Sequence, residues 1–414
     1  MFVATHQSRA PTAPELAAGA ALEPATFAEV RRRTIFDCCK WDPQVEDAAV
    51  LASYPLLVRP ATWHQLTAWA ELLAAEALAA EAELCARRDM MRLLGLPWGV
   101  RRLLARGPSP GTARVMRFDF HLTSDGWRIS EANTDVPGGF PEASGFARLV
   151  AAHYPGRPPV GDPAGALTAE LMRGRQPGAA IGFVHATAYT DDRQVMVYLG
   201  QRLAEHQGRA LLLSPADLVW QDGRASLVDG TQLDAVVRFF PGEWLPNLPR
   251  RARWAHFFTG AVTPLANPAS ALVTQSKRFP LTWDTLATPL PTWRTLLPET
   301  RNPAQVPWRS EDWVMKPLFG RIGEGIGLRG VTQPKDWDAI ARSALAHPTA
   351  WAAQRRFAIQ PLATPEGPRY ACVGVYTVGG VAAGAYGRIS ATPLIDSKAR
   401  DIAVLLDAPA APTA

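Results

Sequence analysis

Between Arg114 and Ser144 the chain places acid, amide and guanidinium groups at intervals of two. Arg117 and Asp119 lie on one strand-like run and Glu131 and Asn133 on the next, joined by Ser124-Asp125-Gly126. Residues two apart on a strand share a face. Two carboxylates and an amide oxygen aimed at one point are donors for a hard cation such as Mg²⁺. Whether the pairs meet depends on register. A two-residue Asp125-Gly126 loop aligns Phe118 and Phe120 with Trp127 and Ile129 but sends Asp119 and Glu131 to opposite faces. A three-residue loop with Gly126 left-handed sets Asp119 opposite Glu131 and Arg117 opposite Asn133. Hydrophobic matching favours the first and cation chemistry requires the second. The second is expected, because a sheet buried on both faces blurs the hydrophobic signal.

A second set of groups lies downstream. Lys316 ends a strand-like run and is followed by a glycine-rich stretch, FGRIGEGIGLRG. Glycines let backbone N–H groups approach phosphate oxygens while a lysine supplies a point charge. The G-x-x-x-x-G-K-[ST] order of a P-loop is missing, and a plain hairpin turn explains the stretch about equally well. Arg321 within it and Arg388 at the end of the last hairpin have the chemistry to clamp a transferring phosphoryl group.

The elements that position these groups are legible in outline. Helical periodicity runs over Thr26 to Lys40 and Ala61 to Leu94. Ile181 to Ala186, Ala210 to Leu213 and Leu233 to Phe240 read as buried strands, with a helix from Arg193 to His206 and a hairpin within Leu218 to Val228. No G-x-G-x-x-G follows the first of these strands, which argues against a dinucleotide site there. Further on, a helix start near Thr274 to Lys277, a strand at Trp313 to Pro317, a helix near Trp337 to Ala346, a strand at Phe357 to Gln360 and a hairpin turning at Gly379-Gly380 are expected.

A chain of 414 residues with 47% hydrophobic and 20% charged residues is an ordinary globular protein of two or three subdomains. No apolar run is long enough to span a bilayer, and the N-terminus has no basic segment followed by an apolar one, so a cytoplasmic protein without a membrane partner is expected. Cys38, Cys39, Cys85 and Cys372 have no metal-ligand spacing and read as buried free thiols. The net charge of +5 is carried almost entirely by arginine spread along the chain, with no nucleic-acid module, so nucleic acid is not an expected partner.

Taken in order, R-x-D at Arg117, E-x-N-x-D at Glu131, Phe240-Pro-Gly-Glu243-Trp244, Lys316-Pro-Leu-Phe-Gly-Arg321, and Val378-Gly-Gly with Ala383-Gly384 and Arg388 resemble the glutathionylspermidine synthase family of ATP-grasp ligases, over about Phe27 to Leu406. The resemblance implies an α/β (α+β) fold and an ATP-dependent carboxylate–amine ligase with ATP and Mg²⁺. The divisions expected are a disordered 1–23, an N-terminal helical layer over 24–110, a metal-binding hairpin in 111–150, a small three-layer α/β pre-ATP-grasp domain over 151–250, an ATP-grasp domain over 251–408, and a tail over 409–414. Asp119, Glu131 and Asn133 would hold Mg²⁺ and Arg117 would steady the phosphoryl group. Lys277 and Lys316 would contact ATP, with Gln360-Pro361-Leu362 as the adenine-side hinge, and Arg321 and Arg388 would face the carboxylate substrate. Val136 and Gly138 stand where the family can carry hydroxyl residues that touch glutathione, and Ile322 and Ile389 stand where it tends to carry charge. These departures point to a carboxylate and amine pair other than glutathione and spermidine. A non-catalytic ATP-binding regulator of the same fold is the alternative. The substrates' identities and the oligomeric state are not written in the sequence.

Overall fold

The computed structural model describes residues 14–42, 44–45, 48–107, 111, 113–320, 323 and 325–407. Two long helices open the chain, α1 (Pro24–Asp37) and α2 (Pro60–Ala86). Both begin on a proline at the first helical turn, where the missing N–H costs nothing. Helix α2 then runs through Ala, Leu and Glu with no glycine or proline to stop it. Upstream of α1, Leu16–Ala18 pairs antiparallel with Leu56–Val58, so this part of the expected disordered leader is an ordered edge strand.

The hairpin β1 (Val115–Thr123) and β2 (Gly126–Asn133) follows. Next comes a parallel sheet of β3 (Ala180–Val184), β4 (Arg209–Leu213), β5 (Ala235–Arg238) and β6 (Leu265–Ala266), in the order β6-β5-β3-β4. Helix α3 (Thr190–Glu205) makes the crossover from β3 to β4. Asn267, just past β6, accepts from the Val115 N–H at 2.8 Å and donates to the Val115 carbonyl at 2.7 Å, which ties the parallel sheet to the start of β1.

A small antiparallel sheet is built from β7 (Trp313–Pro317), β8 (Gly327–Leu328) and β9 (Trp351–Arg355), with Thr300–Arg301 on its edge. Helix α4 (Pro334–Ala346) covers it, and Trp313, Met315, Trp337, Ala341 and Ala353 make its own core. The third strand here is Trp351–Arg355 and not Phe357 to Gln360; an alanine-rich run that pairs with β7 carried little strand signal. The helix expected near Thr274 instead ends there, as Leu272–Gln275.

The chain closes with β10 (Arg369–Val378), β11 (Val381–Ser390) and β12 (Arg400–Ile402), which join the first hairpin in one antiparallel sheet ordered β12-β11-β10-β1-β2. One face of this sheet, including Met116, Phe118 and Phe120, is buried under α2, with Phe120 stacked on Trp69 and Phe118 edge-on to Trp293. Each such side chain contributes about 1.5–3 kcal/mol on burial. The opposite face carries the polar residues and looks toward the small sheet. Among the described residues no helix is long and apolar enough to cross a membrane.

Candidate functional site

The first hairpin satisfies both demands placed on its register. From the turn, Thr123 pairs with Gly126, Leu122 with Trp127 and Phe120 with Ile129, which is hydrophobic matching across a Ser124-Asp125 loop. The register then shifts, leaving Ser130 without a partner, and Asp119 pairs with Glu131 and Arg117 with Asn133. Neither expected loop is the observed one, although Gly126 does take a positive φ of 91°. A β-bulge at Ser130 moves the acids onto one face, a device that re-aims side chains next to functional sites.

On that face Arg117 donates to both oxygens of Asp119, at 2.7 and 3.0 Å, and to the Gly138 carbonyl at 2.8 Å. Asn133 Nδ2 lies 3.1 Å from Asp119 and 3.5 Å from Glu131, so one amide reaches both carboxylates. Lys277 Nζ sits 3.2 Å from Glu131 and donates to the Gly320 carbonyl at 2.9 Å. Lys316, on β7, donates at 2.7 Å to the bulged Ser130 carbonyl and at 2.7 Å to Gln354. The bulge therefore supplies the acceptor that places Lys316.

Arg117, Asp119, Glu131, Asn133 and Lys316 line a cavity of about 430 Å³ between the small sheet and the closing sheet; Lys277 reaches Glu131 from outside its lining. Burial alone would raise the Glu131 carboxyl, but Lys277, Lys316 and Arg117 outweigh it and hold the pKa down at about 2. Burial pushes Lys316 down to about 8 against the pull of Glu131. His121, on the same face of β1, is pushed down to about 4 by burial and by Lys316, and its Nε2 is 2.9 Å from Ser130 Oγ.

The remaining expected residues divide. Arg388 lines the cavity, with its guanidinium donating to the carbonyls of Asp396 at 2.7 Å and Ala399 at 2.9 Å. Arg321 and Ile322 lie outside the described residues. Gln360 and Leu362 do not line the cavity: Gln360 bonds to the Leu122 and Thr123 carbonyls at the hairpin's end, and Leu362 packs against the main core. The wall there is made by Gln354 to Phe357 and Ile359. The third strand lies six residues earlier than expected, and the residues lining the cavity shift with it.

Sequence reading missed Gly374 on β10, which pairs with Asp119; a β-carbon there would sit 2.7 Å from Asp119 Oδ1. A glycine inside a strand is itself the signal of a close approach. It also missed Lys40, which reaches the far end of the cavity, although lysine's scarcity in this chain marks Lys40 as it marks Lys277 and Lys316. The four cysteines are free and buried, as expected.

Among the described residues no cluster of three His, Cys, Asp or Glu side chains could hold a metal ion. The candidate set has two carboxylates, toward which Asn133 turns its Nδ2; with that amide rotated to present its oxygen, the set would be all-oxygen and would fit a hard cation that keeps part of its own water shell. Lys277 and Lys316 beside it fit the phosphates of a nucleotide.

A comparison with the curated proteins found no match. Among solved structures, the apo form of a glutathione synthetase-like effector from Globodera pallida is 12% identical with a TM-score of 0.63, covering 92% of this chain and 96% of that one. This is a likeness of fold. A bacterial protein named for gamma-glutamylcysteine synthetase, from Methylobacillus flagellatus KT, resembles the chain only weakly: 11% identity, a TM-score of 0.43, and coverage of 79% of this chain and 85% of that one. The family model described as glutathionylspermidine synthase preATP-grasp matches residues 52–406. With that match spanning the sheets and the residues from Arg117 to Arg388 that meet at the cavity, the chain belongs to the glutathionylspermidine synthase preATP-grasp family.

Proposed function

We propose that the protein is an ATP- and Mg²⁺-dependent ligase that joins a substrate carboxylate to an amine. The γ-phosphoryl group of ATP passes to a carboxylate oxygen, giving ADP and an acyl phosphate. The amine nitrogen then attacks the carbonyl carbon, phosphate departs with that oxygen, and the proton lost by the amine goes to solvent. The observation that carries this reading is the convergence of Asp119, Glu131, Asn133 and Lys316 on one cavity, with Lys277 3.2 Å from Glu131, in a chain of this family.

Each residue has a task in this reading. Asp119, Glu131 and Asn133 would hold Mg²⁺, which when bound supplies charge neutralisation at the phosphates. Lys277 and Lys316 exchange their contacts to Glu131 and Gln354 for phosphate oxygens. Arg117 keeps Asp119 oriented and adds positive charge. Arg388, anchored by two carbonyls, presents its guanidinium to the carboxylate that is being phosphorylated. Residues 251–408 with the first hairpin would form the ATP-grasp part and 151–250 the pre-ATP-grasp part, whose parallel sheet borrows β6 from across that boundary. The altered residues Val136, Gly138 and Ile389 support a substrate pair other than glutathione and spermidine.

ADP release from Mg-ATP with a panel of carboxylic acids and amines tests the proposal. Stimulation that needs both an acid and an amine is expected. Tight ATP binding without stimulation by any pair would instead support a non-catalytic ATP-binding protein.

A further inference from the structure

The cavity has two chemically opposed ends. One holds the cationic Arg117, Lys316 and Arg388. At the other, Lys40 faces several acids: its Nζ lies 2.7 Å from Glu142, 3.0 Å from Asp42 and 3.5 Å from Asp401, while Arg388 Nε approaches only Asp401, at 3.9 Å, among the described residues. Two of these acids are also held by a neutral neighbour. Gln194 donates to Asp42 at 2.7 Å, and the Tyr386 hydroxyl donates to Asp401 at 2.5 Å. Asp191 adds a further carboxylate to the same wall. Glu142 is only 6% exposed, and its second oxygen, Oε2, is buried without any hydrogen-bond partner. A buried carboxylate oxygen left without a partner is costly unless a cation or a proton completes it.

Lys40 is itself 5% exposed and reaches this acid wall from the segment after α1. Both Lys40 and Asp42 precede residue 52, where the family match begins. The match therefore does not account for the cation that fills this end of the site.

We propose that Lys40 is a built-in counter-ion seated in an acid-walled subsite for ammonium groups, so that the site accepts an amine with one positive charge and excludes an amine that carries a second. This rests on the ligase reading for the presence of an amine substrate. The charge left over on Glu142 and Asp191 suits one ammonium group. A second would have to displace Lys40 from three carboxylates at once. Removing the lysine charge should open the subsite to diamines.

The test is amine binding to the full chain, followed by calorimetry and by thermal melting, with butylamine and diaminobutane as probes and no nucleotide present. The wild-type protein should bind diaminobutane more weakly than butylamine. Lys40→Met should bind diaminobutane at least about tenfold more tightly than the wild type does, with butylamine changing far less. Lys40→Met combined with Asp42→Asn removes one charge of each sign, keeps the fold where the single variant does not, and should show the same gain. Adding Glu142→Gln to either should abolish it. Diaminobutane binding that does not improve in either folded variant, or an equal gain for butylamine, overturns the proposal. Because these readouts need no turnover, they fail separately from the ligase reading, which fails if no acid and amine pair stimulates ADP release.

Discussion

Gly374→Ala places a methyl group against the Arg117–Asp119 pair. The new carbon would meet Asp119 Oδ1 at 2.7 Å, Arg117 Cδ at 2.8 Å and Arg117 Nε at 2.9 Å. Comfortable heavy-atom contacts begin at about 3.5 Å, so something must move by roughly 0.7 Å. Neither neighbour is free to move. Arg117 is held by both oxygens of Asp119 and by the Gly138 carbonyl, between the rings of Tyr376 and Tyr386. In an open strand the same substitution would stabilise by about 0.5–1 kcal/mol. Here overpacking costs about 1–3 kcal/mol, and strain on the buried ion pair places the expected loss near the upper end, about 2 kcal/mol net. Displacing Asp119 by a large fraction of an ångström should also lower ADP formation about a hundredfold. Urea unfolding and a coupled ADP assay measure the two effects. Gly99→Ala, where the new carbon meets nothing within 4 Å on a short helix, is the control and should leave turnover unchanged and stability equal or raised by up to about 1 kcal/mol. A Gly374→Ala protein with wild-type stability and turnover would refute the placement of Asp119 and Arg117.

Burial and Lys316 keep the His121 imidazole neutral down to about pH 4. The unfolded chain takes up this proton from about pH 6.5, so stability should fall as pH drops from about 6.5 to 4, by up to about 3 kcal/mol, and then level off. His121→Gln should flatten that window in urea titrations across pH; an unchanged slope would contradict the assignment. Burial leaves Lys316 with a pKa of about 8, so ATP affinity should weaken as pH rises past that value, whereas Lys316→Arg stays charged and should hold its affinity. Equal pH dependence of nucleotide binding in the two proteins would be the contrary result. Arg388→Ala should slow ADP formation by about 10²-fold or more while changing the ATP Kd little, and a loss confined to ATP affinity would remove Arg388 from the phosphoryl group.

The chemistry of the first hairpin was legible because R-x-D and E-x-N carry a period of two. Its exact pairing was not, because a bulge at Ser130 reconciles two registers that are exclusive for a regular hairpin. Strands β3, β4, β5, β10 and β11 were readable from aliphatic and β-branched runs bounded by turns. Strand β9 was not: Trp351-Ala-Ala-Gln-Arg gains its strand character from pairing with β7, a tertiary effect that overrides weak local preference. Gln360 and Leu362, expected beside the nucleotide, lie outside the cavity lining for the same reason. Lys40, Glu142 and Asp401 come together from three distant parts of the chain, and no local spacing could announce them.

ATP titration by calorimetry with and without Mg²⁺, on the wild-type protein and on Glu131→Gln, addresses the centre of the account without requiring the substrates. The wild type should bind ATP markedly more tightly with Mg²⁺ than with chelator, and Glu131→Gln should lose most of that difference while remaining folded. ATP binding indifferent to Mg²⁺, or a Mg²⁺ effect that survives intact in Glu131→Gln, would contradict it.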